Sequence, residues 1–325
     1  MHLLKKVTDY WNVFIKAFGI HMNYYLGSYK NTVWIIGDGR SGTTWLGDII
    51  NWEKNFREMF EPFHPDMIES AKPYALHQYI RVNDDSDNYF ASLMNDIFTG
   101  KFKHKRVDEI NKSIFYNGLL VKDIFGNLIA SWVQERYPDI KIILLIRNPF
   151  EVALSKENKK NWGWMEDPKL FLNQKELYED FLQPFEKIIR NVSDDYIERQ
   201  IMIWSIIHYV LFQQIKKNNL HIVFYESLVN SPKEEISNLM KYIYNQDNIE
   251  IPSRLLSVAK KPSRVASENL MKKNPHTKDW KKQLTSVQLH NGLKILSVFK
   301  LDKIYGEDFN PSKQEVENLL LSFQS

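Results

Sequence analysis

The chain contains no cysteine in 325 residues. That excludes disulfides, iron–sulfur clusters, thiolate zinc sites and a cysteine nucleophile, and it fits a reducing, cytoplasmic setting. No stretch approaches the ~18 consecutive apolar residues that a membrane-spanning helix needs. Charge of one sign is not in excess either. The 43 basic and 40 acidic residues leave a net +3, far from the basic surplus of a nucleic-acid binder. The densest basic run, Lys101 to Arg106 (KFKHKR), reads as a solvated loop. Internal repeats and low-complexity segments are missing, and no composition shift marks a domain boundary. The first 26 residues are amphipathic and aromatic and do not read as a signal peptide. Within them Leu3, Leu4, Val7, Tyr10, Trp11, Phe14, Ile15 and Phe18 recur at helical spacing. This predicts an amphipathic helical segment packed on the domain, with a peripheral membrane contact or a dimer contact as the alternative.

What is present is concentrated between Thr32 and Asn51, TVWIIGDGRSGTTWLGDIIN. The β-branched, apolar run Val33–Ile36 reads as a buried strand. A glycine-rich turn follows (Gly37-Asp38-Gly39-Arg40-Ser41-Gly42), and Thr43, Thr44, Trp45, Leu46, Ile49 and Ile50 open an amphipathic helix. Strand, glycine turn and helix N-terminus together make an anion cradle, because backbone N–H groups point into the turn and the helix dipole favours negative charge there. The turn satisfies G-x-G-x-x-G, and it also resembles a Walker A loop whose lysine has become Thr43. Its interior argues against both standard uses. Arg40 places a permanent cation where a dinucleotide loop needs close backbone approach. A magnesium-dependent NTPase places an acid at the end of a neighbouring strand, whereas the second core strand, Lys141–Ile146, ends in Arg147-Asn148-Pro149. The site is therefore expected to be metal-free.

Arg147 lies just past the carboxyl end of that strand, where open α/β sheets bind ligands. Pro149 suits the first turn of a helix, and FEVALSKENKK then carries Ser155 two turns on. Arg147 and Ser155 can converge on one phosphate, with arginine as the fork-shaped donor. Four segments read as core strands: 32–37, 119–122, 141–146 and 221–225. Helical patterns separate them, including 125–137 and the stripe Ile197, Ile201, Trp204, His208, Leu211, Ile215. The predicted fold is α/β, a single domain whose central parallel sheet of about four to five strands is flanked by helices. His208 reads as a core histidine on its stripe.

RSGTTWL after one apolar strand and IRNPFEVALS after another resemble the two phosphate-binding signatures of the sulfotransferase family. Residues 221–240 and 279–305 are similar to its later segments. The resemblance spans roughly residues 32–306, with 1–31 as the N-terminal segment and 307–325 as a C-terminal tail or helix. It implies a P-loop-NTPase-like architecture and 3′-phosphoadenosine 5′-phosphosulfate (PAPS) as donor, with 3′-phosphoadenosine 5′-phosphate (PAP) as product. Arg40, Ser41, Gly42, Thr43, Thr44 and Trp45 would hold the 5′-phosphosulfate end. Arg147 and Ser155 would hold the 3′-phosphate, and Tyr225 would lie near the adenine. Ser263 and Arg264, in the basic loop Lys260–Arg264, could close over the 3′-phosphate, or could belong to a solvated charge run.

The general base departs from the cytosolic members of that family. Their Lys-Thr-His segment matches Lys122-Asp123-Ile124, which keeps the lysine and loses the histidine. Glycan-modifying members have a segment similar to Phe60-Glu61-Pro62, so Glu61 becomes the expected base, with His64 and Asp123 as other candidates. Aromatic neighbours are expected to raise the Glu61 pKa into a useful range, and His64 needs no such tuning. Arg40 stands where the cytosolic members have lysine. It can act only as a fixed cationic clamp, because arginine does not give up its proton at neutral pH. Trp162 and Trp164 could line an acceptor cleft or anchor a surface loop. The expected acceptor is a hydroxyl or amine, most simply on a carbohydrate or glycoconjugate. Two rival readings remain. One is a nicotinamide oxidoreductase using Gly37-x-Gly39-x-x-Gly42, for which Glu58 would have to close a strand; the sequence around it reads instead as helix and loop. The other is a nucleotide-binding scaffold with a dead site.

Overall fold

The computed structural model describes residues 14–15, 17–27, 29–159, 162–215, 220–264, 278–305 and 310–324. Five strands form one all-parallel sheet: β1 (Asn31–Ile36), β2 (Phe56–Phe60), β3 (Gly118–Lys122), β4 (Lys141–Ile146) and β5 (Leu220–Phe224), in the order β2-β3-β1-β4-β5. β1 is central, and Val33–Ile36 are fully buried. A parallel sheet covered by helices on both faces needs apolar side chains pointing both ways, which is why NTVWII and KIILLI read as continuous apolar runs. Each such side chain contributes roughly 1.5–3 kcal/mol on burial.

Four strands lie where those runs predict them. β2 was not legible as a strand, because its sequence FREMF carries Arg57 and Glu58, both fully buried. The fold supplies partners for both charges. Arg57 donates to the Asp108 carboxylate at 2.8 and 3.0 Å and to the carbonyls of Gly100 and Phe102, while Glu58 accepts from Arg264. Glu58 thus sits inside a strand, contrary to the helix–loop expectation.

Helices follow their sequence signals. α1 (Thr43–Ile50) starts at Gly42, α2 (Asn88–Phe98) is capped by Asp87, and α3 (Ala130–Arg136) continues a 3₁₀ turn at Asn127–Ile129. α4 (Pro149–Glu157) carries proline in its first turn and Asn148 as its cap, which accepts from Phe150 and Glu151 N–H. α5 (Tyr196–Gln214) is the long core helix; His208 on it is fully buried, with Nδ1 2.7 Å from the Trp204 carbonyl. α6 (Tyr225–Asn230) follows β5 directly. The helix Lys313–Gln324 packs on α5 through buried Val316 and Leu320.

Residues 17–25 are helical and dock through Gly19, Ile20 and Asn23. Asn23 donates to the Ile114 carbonyl at 2.5 Å and accepts from Tyr116 N–H at 2.8 Å. Phe14, Ile15 and Phe18, expected on the packing stripe, are instead exposed. Leu3, Leu4, Val7, Tyr10 and Trp11 lie outside the described residues. Among the described residues no helix is long and apolar enough to cross a membrane.

Candidate active site

The turn after β1 reaches the carboxyl edge of the sheet and bends back into α1. Gly42 takes a left-handed φ of 103°, and a Cβ there would sit 2.9 Å from the Tyr225 ring, so both backbone and space require glycine. Arg40 is left-handed as well, at φ 71°. For a long side chain this costs energy, and neighbours must hold it. Its Nε donates to Ser155 Oγ at 3.2 Å, and its carbonyl accepts from Arg147 Nη1 at 3.3 Å. The turn after β1 thus meets both the approach to α4 and its last turn, which brings Arg40, Arg147 and Ser155 together.

Arg147 also pairs with Glu151 at 2.7 Å and lies 4.2 Å above the Tyr225 ring, which packs edge-on against Trp45. Arg40 forms no ion pair among the described residues. Burial, and then the neighbouring Arg147 guanidinium, push its pKa down. Ser41 Oγ is buried and has no partner among the described residues. Two guanidiniums side by side, one without an acid, beside an orphaned hydroxyl and a helix N-terminus, fit a ligand with more than one anionic group. Trp162 lies across Gly39, where a Cβ would collide with its indole.

A second cluster lies beyond the adjacent end of β3. Glu61 has a left-handed φ of 50°, and its N–H donates to the Lys122 carbonyl at 2.7 Å. Its carboxylate accepts from Lys122 Nζ at 2.6 Å and from Arg106 Nη2 at 2.6 Å. Burial alone would raise the Glu61 pKa, but the two cations outweigh it and hold the carboxyl below its ordinary value. The expected upward shift is thus reversed: the aromatic setting is real, yet Lys122 and Arg106 enter it, both against the face of Phe60. Lys101, Lys103 and Lys105 are exposed, as a solvated loop requires, and Arg106 alone departs from that reading of residues 101–106 by turning in to Glu61.

His64 is buried, and among the described residues neither of its ring nitrogens has a partner. Phe125 and Trp164 pack on it edge-to-face at 5.0 and 4.5 Å, and burial pushes its pKa down, leaving it neutral at pH 7. Asp123 is pushed up to about 7 by burial. Its two oxygens accept from Phe63 N–H at 3.0 Å and Phe125 N–H at 2.7 Å, so it pins the 61–64 turn to the end of β3.

The Ser263–Arg264 expectation fails for the side chain that carries the charge. Arg264 pairs with Asp48 on α1 and Glu58 on β2, on the far side of β3 and β1 from Arg147. Sequence reasoning also missed two buried charges. Lys156 donates to both Asp38 oxygens at 2.8 and 2.7 Å and to Gln200 Oε1 at 2.9 Å. A signal for it existed: Lys156 falls four residues after Val152, on the buried face of α4.

A profile for the sulfotransferase domain matches residues 30–308. No curated protein sequence matches the chain. Similar solved structures include a sulfotransferase from Alicyclobacillus acidocaldarius, 11% identical, TM-score 0.41, covering 83% of this chain and 96% of that one. Another is the mouse sulfotransferase SULT7A1 complexed with PAP, 12% identical, TM-score 0.45, covering 91% and 90%.

Proposed function

The chain belongs to the sulfotransferase family, and on that premise we propose that it moves a sulfuryl group from PAPS to a hydroxyl or amine acceptor on a carbohydrate or glycoconjugate. The observation that carries the donor half is the convergence of Arg40, Arg147 and Ser155 on one face of the glycine turn. PAPS supplies an activated sulfuryl group and, at its other end, a 3′-phosphate. Arg40, Ser41 and the N–H groups opening α1 would hold the phosphosulfate. Arg147 and Ser155 would hold the 3′-phosphate, with Tyr225 and Trp45 beside the base.

Arg40 acts as a fixed clamp that stabilises charge on the leaving phosphate. Lys122 and Arg106 keep Glu61 ionised, so it is ready to take the acceptor's proton. Lys122 can turn toward a developing negative charge and thereby free one Glu61 oxygen. Asp123 holds the turn that presents Glu61 and His64. One observation favours a second base: His64 is neutral, with two unpartnered ring nitrogens. Trp162 and Trp164, both half-buried, offer aromatic faces that suit a sugar.

Calorimetric titration with PAP tests the donor site, with NAD and magnesium-ATP as controls. Binding of PAP alone, abolished by Arg147→Ala, supports the reading; preference for NAD or magnesium-ATP refutes it. Turnover on a panel of sugar acceptors then separates an enzyme from a scaffold. Glu61→Gln should lose about 10²–10⁴ in kcat while PAP affinity is kept.

A further inference from the structure

Resting on this donor reading, we propose that Lys156 and Asp38 are positioning residues that fix the spacing between the two phosphate subsites, so that a nucleotide phosphorylated at both ends is bound as one rigid unit.

Among the described residues, three side-chain hydrogen-bond links join the β1–α1 turn to α4 and its approach. They are Arg40 with Ser155, Arg147 with the Arg40 carbonyl, and Lys156 with Asp38. The first two are made by groups that would turn to phosphate oxygens when nucleotide arrives. The third is buried, with side chains 3% and 2% exposed, and is not available to a ligand. It therefore persists in both states.

Lys156 is the immediate neighbour of Ser155, and Asp38 is two residues from Arg40, so the pair ties the two subsites at their roots. Gln200 on α5 accepts the third Lys156 hydrogen bond and donates to the Met165 carbonyl at 2.8 Å, fixing the lysine to the core helix. Burial pushes the Asp38 carboxyl up and the Lys156 amine down, against their mutual attraction. His77 and His208 lie within electrostatic reach of Lys156, and burial holds both neutral. Removing one partner of such a pair is costly, whereas replacing both leaves no orphaned charge. A ligand grasped at two ends gains from effective concentration only if the two grips keep their separation.

The test compares PAP with adenosine 5′-phosphate and adenosine 3′-phosphate by calorimetry. The proteins are wild type, Lys156→Met, and Lys156→Met with Asp38→Asn, each checked for a cooperative thermal transition. Asparagine keeps an acceptor for the Gly39 N–H that Asp38 now serves. The double variant covers the case in which the single one does not fold. In wild type, PAP should bind far more tightly than either monophosphate. In the variants that preference should shrink by about tenfold or more, while each monophosphate keeps its affinity within about threefold. An unchanged preference in a folded variant overturns the inference. So does an equal loss for all three ligands, which would mark the pair as general scaffolding. Failure of wild type to bind PAP overturns the donor reading and this inference with it, and is distinguishable because it needs no variant.

Discussion

Replacing Glu61 by glutamine keeps its shape and removes its charge, and the structure sets the consequence for stability before any acceptor is known. The wild-type carboxylate receives two short bonds, 2.6 Å each, from Lys122 and Arg106, and Lys122 is 2% exposed. Hydrogen bonds to charged groups contribute about 1.5–3 kcal/mol each. The amide oxygen of glutamine retains one of them in neutral form and leaves a buried ammonium without a counterion. The expected loss is therefore about 2–3 kcal/mol at pH 7. With an unfolding entropy of about 2.1 cal/mol/K per residue, 325 residues give roughly 0.7 kcal/mol/K, so Tm should fall by about 3–4 °C. The pH dependence fixes the cause. The Glu61 pKa is depressed in the folded state, so its stabilisation is present above the ordinary value of 4.5 and is lost as pH falls through the lower folded value. Urea or thermal melts of both proteins at neutral pH and below 4.5 should show the gap closing in acid. A gap that is absent at pH 7, or one that persists unchanged in acid, would refute the assignment of Lys122 and Arg106 as the groups that hold Glu61 ionised.

Gly42→Ala meets a positive φ and the Tyr225 ring together, so it should cost about 1–3 kcal/mol and weaken PAP binding, as read by melts and calorimetry. Arg264→Met leaves Glu58 fully buried without its cation, and the predicted loss is about 3–5 kcal/mol with PAP affinity per folded molecule unchanged. Loss of PAP affinity in a well-folded Arg264→Met protein would return that residue to the nucleotide site. With Glu61 as base, the limb of kcat/KM that vanishes in Glu61→Gln should lie below 4.5. An acid limb nearer neutrality that disappears in His64→Asn would make His64 the base.

The elements that define the donor side were readable because each carries a local chemical reason. β1 and β4 are uninterrupted apolar runs, the turn between β1 and α1 needs glycine, and Pro149 with Asn148 starts α4. What could not be read depends on distant partners. Arg57 and Glu58 look unfit for a strand until Asp108 and Arg264, 51 and 206 residues away, are placed beside them. Arg106 looks like any exposed basic residue until its loop folds over Glu61, 45 residues earlier. The sign of the Glu61 pKa shift followed from that same contact. A pattern of spacing along the chain holds no information about which charge meets which, so the acidic and basic residues of this site were legible as types and not as pairs.

The strand order also has a consequence for how the protein is made. β1 occupies the centre of the sheet, yet both of its neighbours come much later in the chain: Val33 pairs with Leu120 on one side and with Lys141 on the other. At a ribosome adding about 5–20 residues per second, the NTVWII segment waits roughly 5–20 s after its synthesis for the second partner to exist. Until β3 is made both of its edges are unpaired, and from then until β4 is complete one still is, the form of backbone most prone to pairing with another chain. The strand that anchors the anion-binding turn is thus the nascent chain's most vulnerable stretch, and any polypeptide interrupted before residue 146 keeps that liability permanently.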